Sequence, residues 1–195
     1  MRAESKDPFL IPIRAFGMLE NKKKNPKGVT FDSALPRSGQ GPDNFEGKAF
    51  GVLTHKLLEK GWDWNQALLE KAALAWAPGL NLPEEKAREA AQMAVQALGQ
   101  ELLQRAKKSP HAFRELPLSG KTSSGEFLNA IVDLAFLEGD DWVVVDYKTD
   151  RDIEKEKEKY TRQLGYYAEL LTRFTNRKVK ETYLYFLKHN KVELI

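Results

Sequence analysis

Three residues in this sequence have the types and spacing for phosphate chemistry: Asp133, Asp146 and Lys148. They sit in two short apolar segments, 130–137 (AIVDLAFL) and 142–149 (WVVVDYKT), each reading as a β-strand that carries an acid. Between them, Glu138-Gly139-Asp140-Asp141 reads as a tight turn. Either Gly139-Asp140 forms a two-residue loop with Gly first, or all four residues form the loop. Both give the same register farther along, with Asp133 directly opposite Asp146. Opposed residues of an antiparallel pair have Cβ atoms roughly 4.5–5.5 Å apart, where like charges destabilise the sheet. A divalent cation offsets that repulsion, and hard ions such as Mg²⁺ prefer carboxylate oxygens. Lys148 follows Asp146 by two residues and so projects from the same strand face. An acid pair with an ammonium beside it suits phosphate-ester hydrolysis. The metal polarises the phosphoryl oxygen and activates a water, while the lysine stabilises the growing charge or positions the water. The plainer alternative is a surface ion pair beside an unrelated Asp133. The turn that holds Asp133 opposite favours the metal site.

The flanking elements have to bring other groups to this hairpin. Residues 1–44 lack sustained periodicity and read as an irregular segment or linker, with Lys22-Lys23-Lys24 and the stretch 25–43 as loop. The lysine run is either a phosphate contact or a solvated loop, and 9–13 (FLIPI) is a short strand or an anchor. Such an opening suits a piece of a longer chain, or a segment that wraps the domain. A helix is predicted from 44–47 to Lys60, with the apolar stripe Phe50, Leu53, Leu57 and Leu58 and a stop at Gly61. His55 lies off that stripe, as a metal ligand or a partly exposed helix histidine. A helix over 66–76 follows, then one from Asn81, as its cap, to about Lys108. Trp62 and Trp64 read as packing residues, with base stacking as the alternative.

From Phe113 the pattern turns to period two. A strand at 113–118 contains Pro117, which pushes it toward an edge, and Glu115 is an extra site carboxylate or an exposed strand residue. After the hairpin, the charge-rich 150–159 reads as a solvated helix face leading into an amphipathic helix, 160–174. Gln163 and Tyr167 are one turn apart and can face one point, to bond a phosphate or hold a water. Tyr166 and Tyr167 either stack on bases or bury. Strands at 182–187 and 192–195 close the chain.

Composition sets limits. The 195 residues suffice for one domain with a proper core. There is no cysteine, so these residues form no disulfide and ligate no iron–sulphur cluster. No apolar run approaches membrane-spanning length, so no membrane partner is expected. A net charge of +3 is compatible with nucleic acid without arguing for it.

Five motifs together resemble the RecB-type nuclease domain of the PD-(D/E)xK superfamily. They are 51–59 (GVLTHKLLE), 114–118 (RELPL), 130–133 (AIVD), 145–149 (VDYKT) and 163–167 (QLGYY), in the family's order. The likeness runs from about Phe45 to the C-terminus and is strongest to the C-terminal nuclease domains of AddA- and RecB-type bacterial helicase–nucleases. It implies a restriction-endonuclease-like α/β fold: a mixed sheet flanked by helices, a helical N-terminal half, and a nuclease domain over 45–195. It also implies roles. His55, Asp133, Asp146 and the Tyr147 carbonyl resemble the family's metal ligands, for Mg²⁺ or Mn²⁺. Lys148 resembles its catalytic lysine, and Gln163 and Tyr167 its glutamine–tyrosine helix motif, which completes the site or contacts DNA. Ala130 replaces a glycine frequent in the family, a minor departure. No GxxxxGK[ST] sequence occurs, so any unwinding comes from an ATPase part in the same or a partner chain. The expectation is a Mg²⁺-dependent deoxyribonuclease acting on single-stranded DNA during double-strand-break repair, in a bacterial cytoplasm at the nucleoid. The alternatives are a non-catalytic DNA- or helicase-binding module and a stand-alone exonuclease.

Overall fold

The turn between the two acid-bearing strands closes as a two-residue loop, with Glu138 paired to Asp141 and Gly139 at a positive φ of 66°. Glycine adopts that backbone without a Cβ penalty, which is what a Gly-first loop requires. This hairpin is the centre of a computed structural model that describes residues 29–31, 42–149 and 153–195. In chain order the elements are β1 (Val29–Phe31), α1 (Pro42–Lys60), α2 (Gln66–Trp76), α3 (Glu84–Gly99), α4 (Glu101–Lys108), β2 (Ala112–Lys121), β3 (Phe127–Glu138), β4 (Asp141–Lys148), α5 (Ile153–Thr175), β5 (Val179–Phe186) and β6 (Lys191–Leu194).

The strands form one mixed six-stranded sheet. One edge of β3 pairs with β2 along most of its length. The other pairs with β1 in parallel over Leu128–Ala130 and with β4 in antiparallel over Leu134–Glu138. β4 continues in parallel with β5, and β5 pairs back with β6. Helices α1 to α4 cover one face of the sheet and α5 covers the other. Both faces of β4 are therefore dry, and Trp142 to Tyr147 form an unbroken buried run.

α5 buries Tyr160, Leu164, Tyr167 and Leu171 of its predicted stripe, together with Leu170, whereas Phe174, the last residue expected on that stripe, is exposed near the helix end. Each buried side chain of this kind contributes about 1.5–3 kcal/mol on leaving water. α3 packs through the small residues Ala87, Ala90, Ala91, Ala94 and Ala97, which let α1 and α2 approach closely. Gly61 ends α1, and a Cβ there would lie 2.6 Å from the Leu57 carbonyl oxygen.

Three expectations about the elements need correction. The helix expected to run unbroken to Lys108 splits at Gln100, whose backbone is extended (ψ 140°). The Gln100 side chain accepts a hydrogen bond from the Glu101 N–H and caps the second piece. Asn81 caps no helix start. It takes a left-handed φ of 54° at the end of the 3-10 turn Ala77–Leu80, and Pro83 occupies the N-cap position of α3. The stretch 25–43, expected as loop, contains β1 and the start of α1. Strand pairing supplies β1 with partners that no local pattern reveals. The rest of 1–41, including the lysine run and 9–13, lies outside the described residues, as do 150–152.

Candidate metal centre

β2 and β3 both lose their regular pairing at one level, the level of Asp133. The β2–β3 register runs through Arg114 with Leu134 and Leu116 with Val132, which leaves Glu115 and Asp133 as the unpaired residues between. Glu115 has a positive φ of 51°. The alternation of both strands reverses there. Leu128, Ala130 and Val132 face α5, yet beyond Asp133 it is Ala135 and Leu137 that do so, while Leu134 and Phe136 face α1–α4. In β2, Leu116 and Leu118 pack on the α5 side and Ala112 on the other.

On the opposite edge the β3–β4 register is the expected one, but the ladder stops at Leu134 and Val145, one pair short of the two acids. On its other edge β4 stays paired with β5 beyond that point, through Asp146 beside Leu184 to Lys148 beside Phe186. The Asp133 carboxylate fills the fork, and its Oδ2 accepts a hydrogen bond of 2.6 Å from the Tyr147 N–H. Asp133 thus lies between Glu115 on one neighbouring strand and Asp146 on the other.

α1 brings His55 to the same point. Its Nδ1 is 3.2 Å from Asp133 Oδ1 and 3.9 Å from Glu115 Oε1. One turn earlier, a Cβ on Gly51 would lie 3.1 Å from Thr149 Oγ1, so the missing side chain lets α1 approach the end of β4. The Tyr147 ring supports the imidazole edge-on, with centroids 5.8 Å apart.

The electrostatics are those of too many acids in too little water. Asp133 and Asp146 are 2% and 0% exposed. Burial raises the Asp146 pKa; the Lys148 ammonium acts against that and the Asp133 charge adds to it. Burial, then the Asp133 charge, pushes Glu115 up to about 7. Burial alone would lower the His55 pKa, but Asp133 and then Glu115 and Asp146 outweigh it and the imidazole ends above its ordinary value. Two buried carboxylate oxygens, Asp133 Oδ1 and Asp146 Oδ2, have no well-aligned hydrogen-bond donor among the described residues. Each has a nearby charge partner there instead: His55 for the first, and Lys148 Nζ at 2.6 Å for the second. Buried carboxylate oxygens without well-aligned donors are what a cation would satisfy.

The donor set fits a hard divalent ion. His55, Glu115 and Asp133 each offer a ligand atom, and these atoms lie within 4.8 Å of one another. Carboxylate oxygens with one imidazole suit Mg²⁺ or Mn²⁺. Glu115, singled out from sequence only as an extra carboxylate, belongs to this cluster. Asp146 stands beside it, paired with Lys148.

α5 approaches from the other face of the sheet. Gln163 is buried, and its Nε2 donates to Asp146 Oδ1 at 3.4 Å and to the Tyr167 hydroxyl. Tyr167 is fully buried, and its hydroxyl is 3.4 Å from the Ile131 carbonyl oxygen. It therefore presents no surface to DNA and serves as a prop for Gln163. Tyr166 is partly exposed and donates to Glu126 Oε2 at 2.7 Å, away from the acids. The structure thus gathers His55, Glu115, Asp133, Asp146, Lys148 and Gln163, and leaves Tyr166 outside. Sequence reasoning missed Gly51 as a contributor to the approach of α1. For Gly51 the available signal was a glycine one helical turn before the histidine.

A mixed sheet flanked by helices, with paired acids at its fork, is the restriction-endonuclease-like architecture. A sequence profile of the PD-(D/E)XK nuclease superfamily matches residues 33–194, and the chain belongs to that superfamily. Nucleases of this superfamily use divalent metals, in keeping with the donor set. The chain is similar to an ATP-dependent helicase/nuclease protein of Clostridium kluyveri, 34% identical over 105 residues that cover 45% of this chain and 8% of that protein. A Clostridium botulinum protein of the same name is 34% identical over 114 residues, 50% of this chain and 9% of that protein. Another from Clostridium botulinum is 45% identical over 60 residues, 30% of this chain and 5% of that protein. The matched stretch spans less than a tenth of these curated relatives. No helix among the described residues is long and apolar enough to cross a membrane.

Proposed function

We propose that this chain is a Mg²⁺-dependent deoxyribonuclease that cuts single-stranded DNA made available by a helicase during double-strand-break repair. The observation that carries the reading is the pair of buried oxygens on Asp133 and Asp146 that lack a well-aligned donor, the first beside His55 and the second against the Lys148 ammonium. His55, Asp133, Asp146 and the Tyr147 carbonyl would hold the ion, with Glu115 as a further carboxylate. Once bound, a divalent ion supplies Lewis-acid polarisation of the phosphate and lowers the pKa of a water.

The protein's own groups do the rest. Lys148 offers an ammonium to the charge that develops on the scissile phosphate. Gln163 holds the Asp146 carboxylate in orientation, and Tyr167 fixes Gln163 in turn. Tyr166 is the α5 tyrosine left for contact with the nucleic acid. The names of the clostridial relatives support a helicase as a partner, in the same or a separate chain. A nucleoid-associated role in the bacterial cytoplasm follows from the same reading.

The test is Asp146→Ala assayed on single-stranded DNA with Mg²⁺. Cleavage is expected to fall by at least about three orders of magnitude, as for loss of a group essential to transition-state stabilisation. Cleavage by the variant at the wild-type rate would overturn the reading.

A further inference from the structure

Tyr160 is a core residue of α5 whose surroundings give it a second task. The Lys148 ammonium lies 4.0 Å from the centre of the Tyr160 ring, within cation–π range, and 2.6 Å from Asp146 Oδ2. The lysine side chain is only 11% exposed and Tyr160 is 6% exposed, so this contact is largely shielded from water. A lysine otherwise carries its charge on a flexible four-carbon stem with many rotamers. Here the ammonium is held between a carboxylate and a ring face.

Tyr160, Gln163 and Tyr167 lie three and four residues apart on α5 and share one stripe. Gln163 reaches Asp146, and Tyr160 reaches Lys148. One helix face therefore addresses both members of the acid–lysine pair. We propose that Tyr160 is a positioning residue for Lys148, its ring face holding the ammonium beside Asp146 where it can meet the scissile phosphate. The proposal rests on the nuclease reading above.

An aromatic ring is well suited to that task. A ring face attracts the cation through its quadrupole and accepts no proton. A carboxylate at position 160 would compete with phosphate for the ammonium. An aliphatic side chain would leave a nearly buried charge with Asp146 as its one strong partner among the described residues, a costly arrangement. A second ammonium, Lys159 Nζ, is 5.7 Å from the same ring, so Lys148 makes the nearer contact.

The experiment replaces Tyr160 with Phe, with Phe carrying one, three and five ring fluorines, and with Leu. Fluorination drains the ring quadrupole at nearly constant shape, so these variants fold as the parent does and isolate the electrostatic contact. Tyr160→Phe is expected to keep kcat within about threefold, whereas Tyr160→Leu lowers it about 5–30-fold with KM little changed. Along the fluorinated series kcat should fall stepwise. A second readout needs no substrate or metal. In NMR spectra the Lys148 ε-methylene protons should be shifted upfield by the ring current in wild type and Tyr160→Phe, and lose that shift in Tyr160→Leu. A flat kcat across the fluorinated series, or no upfield shift in the wild type, overturns the proposal. A wild type that shows the shift but cuts no DNA overturns the nuclease reading instead, and with it the catalytic purpose of the contact.

Discussion

At the scale of single residues, Glu115 carries the clearest sign of a built site. A non-glycine residue at a φ of 51° is held there against its own preference, at a cost of roughly 1–2 kcal/mol. That backbone puts its carboxylate beside Asp133, where burial and like charge raise its pKa to about 7. Relieving the strain should stabilise the protein. Glu115→Gly is expected to melt about 2–4 °C above Glu115→Ala, since about 1 kcal/mol shifts a domain of this size by that amount. Differential scanning calorimetry of the two variants without metal checks this. The raised pKa also fixes a pH dependence. Between the ordinary carboxylate value of 4.5 and about 7, the folded state binds a proton at Glu115 that the unfolded chain has lost. Metal-free stability should therefore fall as pH rises through that window. Urea melts at intervals across that range should show a shallower decline in Glu115→Gln than in wild type.

At the scale of elements, the far end of the hairpin is secured by a charge network. Arg105 of α4 donates to both Glu138 oxygens, at 2.9 and 2.8 Å, and to Glu181 of β5 at 2.6 Å. Lys180 also bonds Glu138. Arg105, then Lys180, hold the Glu138 carboxyl down to about 2. A lowered acid contributes stability that is present above its ordinary pKa of 4.5 and lost as pH falls toward 2. Glu138 is more than a third exposed, so solvent screening makes the effect modest. Glu138→Gln should flatten the stability profile between pH 4.5 and 2 while leaving the acid pair untouched, as followed by circular dichroism melts. The network matters for position. It ties α4, the β3–β4 turn and β5 together, so the fork at the other end of the same strands opens from a fixed base.

For the molecule as a whole, the centre is a concentration of unsatisfied charge within the fold. Buried acids around Asp133 destabilise the metal-free protein, and an ion that satisfies them should stabilise the folded state. At a hundredfold excess over Kd, binding adds about 2.7 kcal/mol, or roughly 5–10 °C in Tm for a chain of this size. Thermal scans with Mg²⁺ or Mn²⁺ should show that rise in wild type, and much less of it in Asp133→Asn. The N-terminal helices take part in this site as well as in the core, because α1 supplies His55 across the sheet from α5.

The hairpin, its register, the α5 stripe and the identities of the acids and the lysine were legible in the sequence. Period-two and period-3.6 patterns are local, and the register follows from counting back from a turn. His55 was legible only through resemblance, because nothing within α1 tells which residue faces a strand 78 positions later. The strand at Val29–Phe31 has no pattern of its own and exists through pairing with β3. The reversal at Glu115 and Asp133 likewise belongs to the sheet, since it takes two strands losing their pairing at one level to bring both carboxylates to His55. Sequence by itself determined which chemical groups are available and along which elements they run. Tertiary structure alone decided which of them share a few ångströms of dry space, because burial and the charge repulsion it strengthens exist only once distant segments have packed together.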